Sequence, residues 1–148
     1  MMLIPRAADL LSGEPAFPVR LPPLLVTPTA AHLFMFSAAT WNRHHIHYSA
    51  QAARAEGHGD VVVHRGLIGN YLARMLTNWL GNRGEIRSLS WKVVRSAGPG
   101  RPLRCEGEVV SQEVHHPHRR LQCELRVVDA EHNLIAQGAA GLELEVHG

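Results

Sequence analysis

The sequence predicts an α+β fold in which an antiparallel sheet packs against one long helix. From position 67 to position 80, apolar residues recur with the spacing of a single helix face. Four segments that alternate apolar and polar residues follow in succession, which is the pattern of strands with one buried face. One long helix followed by a run of strands favours the α+β class. At 148 residues the chain is long enough for one such domain with one core.

The first 28 residues predict an extended arm. Six prolines fall in this stretch: Pro5, Pro15, Pro18, Pro22, Pro23 and Pro28. Proline fixes φ and withholds a backbone donor, so no long element is expected here. We therefore predict a proline-rich arm over residues 1–28, packed on a single domain over residues 29–148.

Two short helices are predicted between the arm and the long helix. Thr29 can cap a helix that runs to about Phe36, and because this segment is rich in apolar residues we expect it to be buried. Ser49 can cap a second helix over residues 50–55, which ends near Gly57.

The long helix is the most regular element of the sequence. Its apolar stripe consists of Leu67, Ile68, Tyr71, Leu72, Met75, Leu76, Trp79 and Leu80. The opposite side is polar, so the stripe needs a sheet to cover it. The helix is expected to be about 14 residues and 21 Å long, with Gly81 at its C-terminal end. We expect Tyr71, Met75 and Trp79, together with Trp41, to be core residues.

The second half of the chain supplies the predicted sheet. Its alternating apolar positions are Leu89, Trp91 and Val93, then Leu103, Cys105, Gly107 and Val109, then Leu121, Cys123, Leu125 and Val127, before a last strand over residues 134–146. The stretch from Ala97 to Gly100 and the stretch 129–133 predict turns. Two cysteines are too few for a disulfide framework, so Cys105 and Cys123 are interpreted as small core residues in a reduced compartment.

Charge and hydropathy exclude several classes of function. The formal charge is +2, and the 15 basic residues are dispersed along the chain. This distribution indicates neither a nucleic-acid partner nor a membrane-binding basic patch. The N-terminus lacks the apolar core of a signal peptide, and no run reaches transmembrane length. We therefore expect a soluble cytoplasmic protein, although dispersed arginines leave a phosphate-bearing small ligand possible.

The chemically densest stretch runs from Trp41 to Ser49 and holds three histidines, an asparagine and a tyrosine. Histidine exchanges protons near neutrality, so the cluster indicates proton transfer or metal binding. Zinc sites usually combine histidine with cysteine or carboxylate ligands at fixed spacing. Neither this stretch nor the group from His115 to His118 has such a pattern, and the latter reads as an exposed hairpin loop. We expect no metal and no cofactor.

Two motifs resemble a known enzyme family. Residues 36–48 read F-S-A-A-T-W-N-R-H-H-I-H-Y, which resembles the F-S-A-x-T-[FW]-N-x-H-x-I-H-Y signature of MaoC-like dehydratases. Val62-Val63-His64-Arg65-Gly66-Leu67 is similar to the V-V-H-G-P-L that opens the central helix of their hotdog fold. The branch resembled contains the fungal-mitochondrial type 3-hydroxyacyl-thioester dehydratases and mesaconyl-CoA hydratase. The resemblance implies a single hotdog, an antiparallel sheet wrapped around a central helix.

The resemblance also implies catalytic residues. His47 would be the general acid/base that handles the C2 proton of an acyl thioester on coenzyme A or acyl carrier protein. Asn42 would orient the water or 3-hydroxyl, although it can also be read as a cap or turn residue. The wider family has an aspartate at this position, and a carboxamide cannot take a proton at neutral pH.

Further residues are implied as substrate contacts. The amide of Gly66, or that of Arg65 in a register shifted by one residue, would polarise the thioester carbonyl at the helix N-terminus. Arg65 can alternatively reach a phosphate of the carrier. His64 and Tyr48 would line the pocket. His44, which matches the motif, would support the catalytic residues as a neighbouring side chain, whereas His45 is expected to face solvent.

Two other functions stay open. A hotdog thioesterase needs an acidic residue, for which only Glu56 and Asp60 lie near the motif. A non-catalytic subunit that binds an acyl thioester is favoured by the asparagine at position 42. One hotdog leaves an exposed sheet edge and half a pocket, so a homodimer or a heterodimer with another hotdog chain is expected.

Overall fold

The computed structural model describes residues 6–11 and 15–145. Its helices are α1 (Ala30–Thr40), α2 (Ala50–Ala55) and α3 (Arg65–Leu80), and single 3₁₀ turns span Ala7–Leu11 and His45–His47. Its strands are β1 (Val19–Arg20), β2 (Leu24–Val26), β3 (Gly84–Val93), β4 (Leu103–His115), β5 (His118–Asp129) and β6 (Leu134–Glu145). One antiparallel sheet covers one long helix, so the predicted α+β class is confirmed.

The sheet has the order β1–β4–β5–β6–β3, with β2 also paired to β4. The β4–β5 hairpin closes at the pair His115 and His118, where the sequence predicts a loop. Register shifts interrupt β3 between Ile86 and Ser88 and β4 between Val109 and Ser111. Such bulges bend strands and increase their twist, which lets the sheet curve around α3.

Helix α3 is the centre of the core. Its predicted stripe is buried along the whole length, including Tyr71, Met75 and Trp79, and Gly81 ends the helix with a φ of 58°. The indole of Trp91 from β3 packs directly on Gly69, where a Cβ would overlap the ring. The helix can therefore approach the sheet closely at this point. Cys105 and Cys123 are buried opposite it as predicted.

The described part of the N-terminal arm joins the sheet. Strands β1 and β2 both pair with β4, and the Arg119 guanidinium donates to the carbonyls of Leu10 and Leu11 at 2.7 and 3.1 Å. The described elements of the arm are short, and none of them is a long helix or strand. Residues 1–5 and 12–14 of the predicted arm, and position 146 of the predicted last strand, lie outside the described residues. Within the described part, no helix has the length and apolar character that crossing a bilayer demands.

Helix α1 begins as predicted but is not buried. The Thr29 side chain accepts a hydrogen bond from the His32 N–H at 3.1 Å, yet the helix continues to Thr40. Only Leu33 and Ser37 are buried, whereas Phe34 and Met35 are 62% and 64% exposed. The prediction of burial is wrong because it rested on composition. α1 lies outside the sheet and packs through one narrow stripe.

Trp41 is a second correction. Predicted as core, it is 80% exposed. It ends α1 in the left-handed conformation with a φ of 55°, and its ring lies 5.9 Å from the Arg43 guanidinium. The turn that stops the helix points this side chain away from the core.

Helix α2 begins as predicted, because the Ser49 side chain accepts a hydrogen bond from the Ala52 N–H.

Candidate active site

Three segments converge at the N-terminus of α3. They are the second half of α1, the 3₁₀ turn of His45–His47, and the stretch before α3 that ends at His64. The imidazoles of His47 and His64 are stacked, with ring centroids 3.8 Å apart and planes within 16° of parallel. Since His64 is the N-cap residue of α3, the stack places His47 beside the first turn of that helix.

A hydrogen bond to the backbone fixes the tautomer of His47. The side chain is 7% exposed, and its Nδ1 lies 2.6 Å from the carbonyl oxygen of Val62. A carbonyl only accepts, so Nδ1 carries a proton, and the neutral tautomer that this bond favours has its lone pair on Nε2. The Val62 N–H donates in turn to the Ile46 carbonyl at 2.9 Å, which holds the 3₁₀ turn against this stretch. The turn therefore fixes both the position and the tautomer of His47.

His64 is more deeply buried than His47. It is 1% exposed, and its Nε2 lies 2.7 Å from the Ser37 hydroxyl of α1. The ring of Phe36 meets it edge-on at 4.8 Å. Burial, with a smaller contribution from nearby His47, lowers the pKa of His64 from 6.5 to about 4. His64 is therefore neutral at physiological pH, and it supports the face of His47 more than it lines an open pocket.

Asn42 is part of a turn. Its backbone N–H donates to the Ser37 carbonyl at 3.0 Å beyond the end of α1, and its side-chain Oδ1 accepts from the His44 N–H at 3.2 Å. This is the local side-chain hydrogen bond that asparagine commonly forms in turns. No hydrogen bond joins Asn42 to His47, both of which lie in the described part of the chain. The amide nitrogen of Asn42 has no hydrogen-bond partner among the described residues.

His44 brings a carboxylate to the site. Its Nε2 lies 2.9 and 3.1 Å from the two carboxylate oxygens of Glu56, the residue that caps the C-terminal end of α2. Its ring is nearly perpendicular to that of His47, with centroids 5.8 Å apart. The side chains of His44 and Glu56 are both about half exposed. Short turns thus bring a carboxylate from twelve residues away into contact with the histidine cluster.

The polar groups of Tyr48 and Arg65 form hydrogen bonds within the protein. The Tyr48 hydroxyl donates to the Arg43 carbonyl at 3.0 Å. The Arg65 guanidinium lies over the Trp91 ring at 4.9 Å and donates to the Trp91 carbonyl at 3.0 Å, while the indole N–H donates back to the Arg65 carbonyl at 2.9 Å. In this arrangement the Arg65 side chain is bound to β3 and does not extend toward a phosphate.

The first turn of α3 offers free amides. The earliest N–H groups of an α-helix have no intrahelical acceptor, and they carry the positive end of the helix dipole. Here they include those of Arg65, Gly66 and Leu67, since the first intrahelical bond runs from the Ile68 N–H to the His64 carbonyl, and the His64 side chain does not cap them. The Phe36 ring packs on Gly66, where a Cβ would come 3.2 Å from Cζ. A carbonyl oxygen placed at this end would be stabilised as negative charge develops on it.

Sequence reasoning placed some of these residues but missed contacts that the fold creates. Ser37 lies in the first motif, yet no role was assigned to it. Glu56 was considered only as a thioesterase carboxylate. His45 is exposed as predicted, with its ring against Tyr48. Among the described residues, no group of three or more histidine, cysteine or acidic side chains converges as a metal site does.

Comparisons with known proteins bear on the fold. No curated protein sequence matches the chain. The solved (R)-hydratase from A. caviae involved in PHA biosynthesis is similar, with a TM-score of 0.80 and 18% identity over 90% of this chain and 99% of that one. The MaoC-like dehydratase from Rhodospirillum rubrum is similar with a TM-score of 0.80 and 14% identity, and the match covers 91% of this chain and 96% of that one. A chain of the ChsH1-ChsH2 complex from Mycobacterium tuberculosis is similar with a TM-score of 0.77 and 17% identity, and the match covers 88% of this chain and 98% of that one.

These likenesses confirm the predicted hotdog fold, and a family model adds to them. The model for hydroxyacyl-thioester dehydratase type 2 matches residues 20–99. The matched region is more than half of the chain, and it contains both motifs, from Phe36 to Tyr48 and from Val62 to Leu67. The chain therefore belongs to the hydroxyacyl-thioester dehydratase type 2 family.

Proposed function

We propose that the chain catalyses the reversible dehydration of a 3-hydroxyacyl thioester to the 2-enoyl thioester. The observation that carries this proposal is the Nδ1 hydrogen bond of His47 to Val62, which leaves Nε2 as a base beside the free amides at the start of α3. A base and an oxyanion-stabilising group side by side are what abstraction of a proton next to a carbonyl requires. Membership of the dehydratase family supports the same reaction.

In the dehydration direction, His47 Nε2 removes the C2 proton. The amides of Arg65 and Gly66 stabilise the charge that moves onto the thioester oxygen. The C3–O bond then breaks with its electron pair going to oxygen, and an acid in the site supplies the proton with which the hydroxyl leaves as water. Hydration follows the same steps in reverse. Asn42 orients the hydroxyl or water through its amide nitrogen, since its oxygen is used in the turn.

The finer features of the proposal follow the sequence prediction. The substrate is carried on coenzyme A or acyl carrier protein, and the two motifs of the chain resemble those of the mesaconyl-CoA hydratase branch. We also propose a cytoplasmic location. Strand β3 forms one end of the sheet order, so its outer edge can pair with a second hotdog chain, identical or different. The solved ChsH1-ChsH2 complex, in which a chain of this fold is bound to a partner, supports such a pairing.

The first test is turnover of short and medium trans-2-enoyl-CoA thioesters by the purified chain. Loss of the conjugated thioester absorbance without release of free thiol is the expected result. Release of thiol would instead identify a thioesterase, a role to which Glu56 is poorly suited because its carboxylate is bound to His44. Absence of both signals would contradict the proposed activity.

A further inference from the structure

The pair formed by His44 and Glu56 is not explained by the stability of the fold. A contact between two half-exposed polar side chains contributes little to stability, because solvent screens it. Glu56 also occupies the C-terminal end of α2, where a carboxylate meets the partial negative charge of the helix dipole. Its two oxygens nevertheless lie within 3.1 Å of the imidazole. A histidine oriented by a carboxylate is an arrangement typical of proton-transfer sites.

The proposed reaction needs a second proton-transfer group. Dehydration takes a proton from C2 and delivers one to the departing oxygen on C3, and these atoms are neighbours. His47 can take the first proton. Asn42 cannot deliver the second, because a carboxamide does not titrate near neutrality. Among the described residues next to His47, His64 is buried against Ser37, which leaves His44 as the accessible titratable side chain.

We propose that His44, oriented by Glu56, is a second catalytic residue that protonates the 3-hydroxyl as it leaves and activates water in the reverse direction. This inference rests on the proposed function. The Asn42 side chain fixes the backbone of His44, and Glu56 fixes its ring, so the two act as positioning residues. The carboxylate that the wider family places at position 42 is thus replaced by a histidine and a glutamate.

The atoms of the step balance. Protonated His44 donates its Nε2–H to Glu56, which leaves the Nδ1–H for the substrate oxygen. The C2–H bond breaks with its proton going to His47, the C3–O bond breaks with its electron pair going to oxygen, and His44 supplies the proton that completes water. His47 has then gained one proton and His44 has lost one. After the product has left, His47 releases its proton through the emptied site, and half-exposed His44 takes one up from solvent.

A substrate whose leaving group needs no proton separates the two histidines. Elimination of fluoride from 3-fluorobutyryl-CoA still needs the C2 base but no acid at C3. His44→Gln is expected to lower kcat/KM for 3-hydroxybutyryl-CoA by about 100-fold, the size of a lost general acid. With 3-fluorobutyryl-CoA the loss should be no more than about threefold if acid catalysis is what was removed. His47→Ala should lose activity with both substrates.

Glu56→Gln tests the positioning residue in the same assay. It should lower kcat for the hydroxy substrate by about tenfold and leave the fluoro substrate unaffected, because only the acid step depends on the orientation of His44. Glu113→Gln is the matched control, since Glu113 forms a similar exposed pair with His115 at 3.2 Å on the distant hairpin. This control should leave both substrates unchanged.

Two results would overturn the inference. One is a His44→Gln variant with unchanged turnover of the hydroxy substrate. The other is an equal loss with both substrates, which would assign His44 a structural role. If the wild-type chain eliminates neither water nor fluoride, the proposed function fails and this inference fails with it.

Discussion

The imidazole of His64 lies flat against that of His47, with centroids 3.8 Å apart, and its Nε2 is bound to the Ser37 hydroxyl at 2.7 Å. One histidine is thereby anchored by a helix that lies outside the sheet, and the other by the Val62 carbonyl. Two stacked imidazoles in a buried site cannot both take a proton at low cost. Burial lowers the pKa of His64 to about 4, so this ring stays neutral near physiological pH and supports the face of His47.

A loss of stability at acid pH follows from the burial of His64. In the folded chain the pKa of His64 is about 4, whereas its value without burial is 6.5. Above pH 6.5 His64 is unprotonated in both the folded and the unfolded chain, so it does not lower the free energy of unfolding there. Below that pH the unfolded chain binds the proton first, and stability falls until the pH passes about 4. At about 1.4 kcal/mol for each unit of pKa difference, the loss reaches up to about 3 kcal/mol.

Urea unfolding at pH 7 and pH 5 measures this loss. His64→Gln should flatten the dependence on pH while lowering stability at pH 7, because glutamine does not titrate and stacks less well. His32→Gln is the control, since His32 is exposed on α1. An unchanged pH dependence in His64→Gln would show that other groups cause the acid loss.

His47→Ala is expected to abolish turnover. General acid–base catalysis typically contributes about 10²–10⁴-fold, and the variant removes the base. It also leaves the Val62 carbonyl without its donor, which costs about 1–3 kcal/mol. His47→Asn is therefore the better-matched variant, since its amide can still donate to Val62. Retained enoyl-thioester turnover in a folded His47→Asn variant, judged by circular dichroism, would end the assignment of His47 as the base.

Substitutions at Asn42 separate the turn from the chemistry. Asn42→Asp keeps an acceptor for the His44 N–H, so thermal stability should be retained, whereas Asn42→Ala should lose about 1 kcal/mol. The aspartate has no donor for the substrate hydroxyl, so kcat should fall by about tenfold. Activity that stays equal to wild type would instead assign Asn42 to the turn alone.

The contact of Gly69 with Trp91 sets how closely α3 approaches the sheet. Gly69→Ala should destabilise the fold by about 1–3 kcal/mol, because the added methyl overlaps the indole and neither backbone can move freely. Gly59→Ala serves as the control, because a Cβ at Gly59 meets nothing within 4 Å. Equal urea midpoints for the two variants would contradict this packing.

Local sequence determined the elements and the family. The periodicity from Leu67 to Leu80 depends only on which residues share a helix face, so it predicted α3, and Gly81 predicted its end. Thr29 and Ser49 predicted two N-caps for the same local reason. The two motifs, with His47 and His64 among their residues, predicted the hotdog family that the matched model confirms.

Tertiary structure alone decided which of these residues meet. The stack of His47 on His64, the bond of His64 to Ser37 and the approach of Glu56 to His44 join positions 12 to 27 residues apart. No spacing rule predicts such contacts, because they depend on how α1 and α2 pack on the 3₁₀ turn of His45–His47 and how this turn lies at the start of α3. The same reason explains the exposure of Phe34 and Trp41. Hydrophobicity shows that a side chain favours burial, but only the packed fold decides whether a surface is there to bury it.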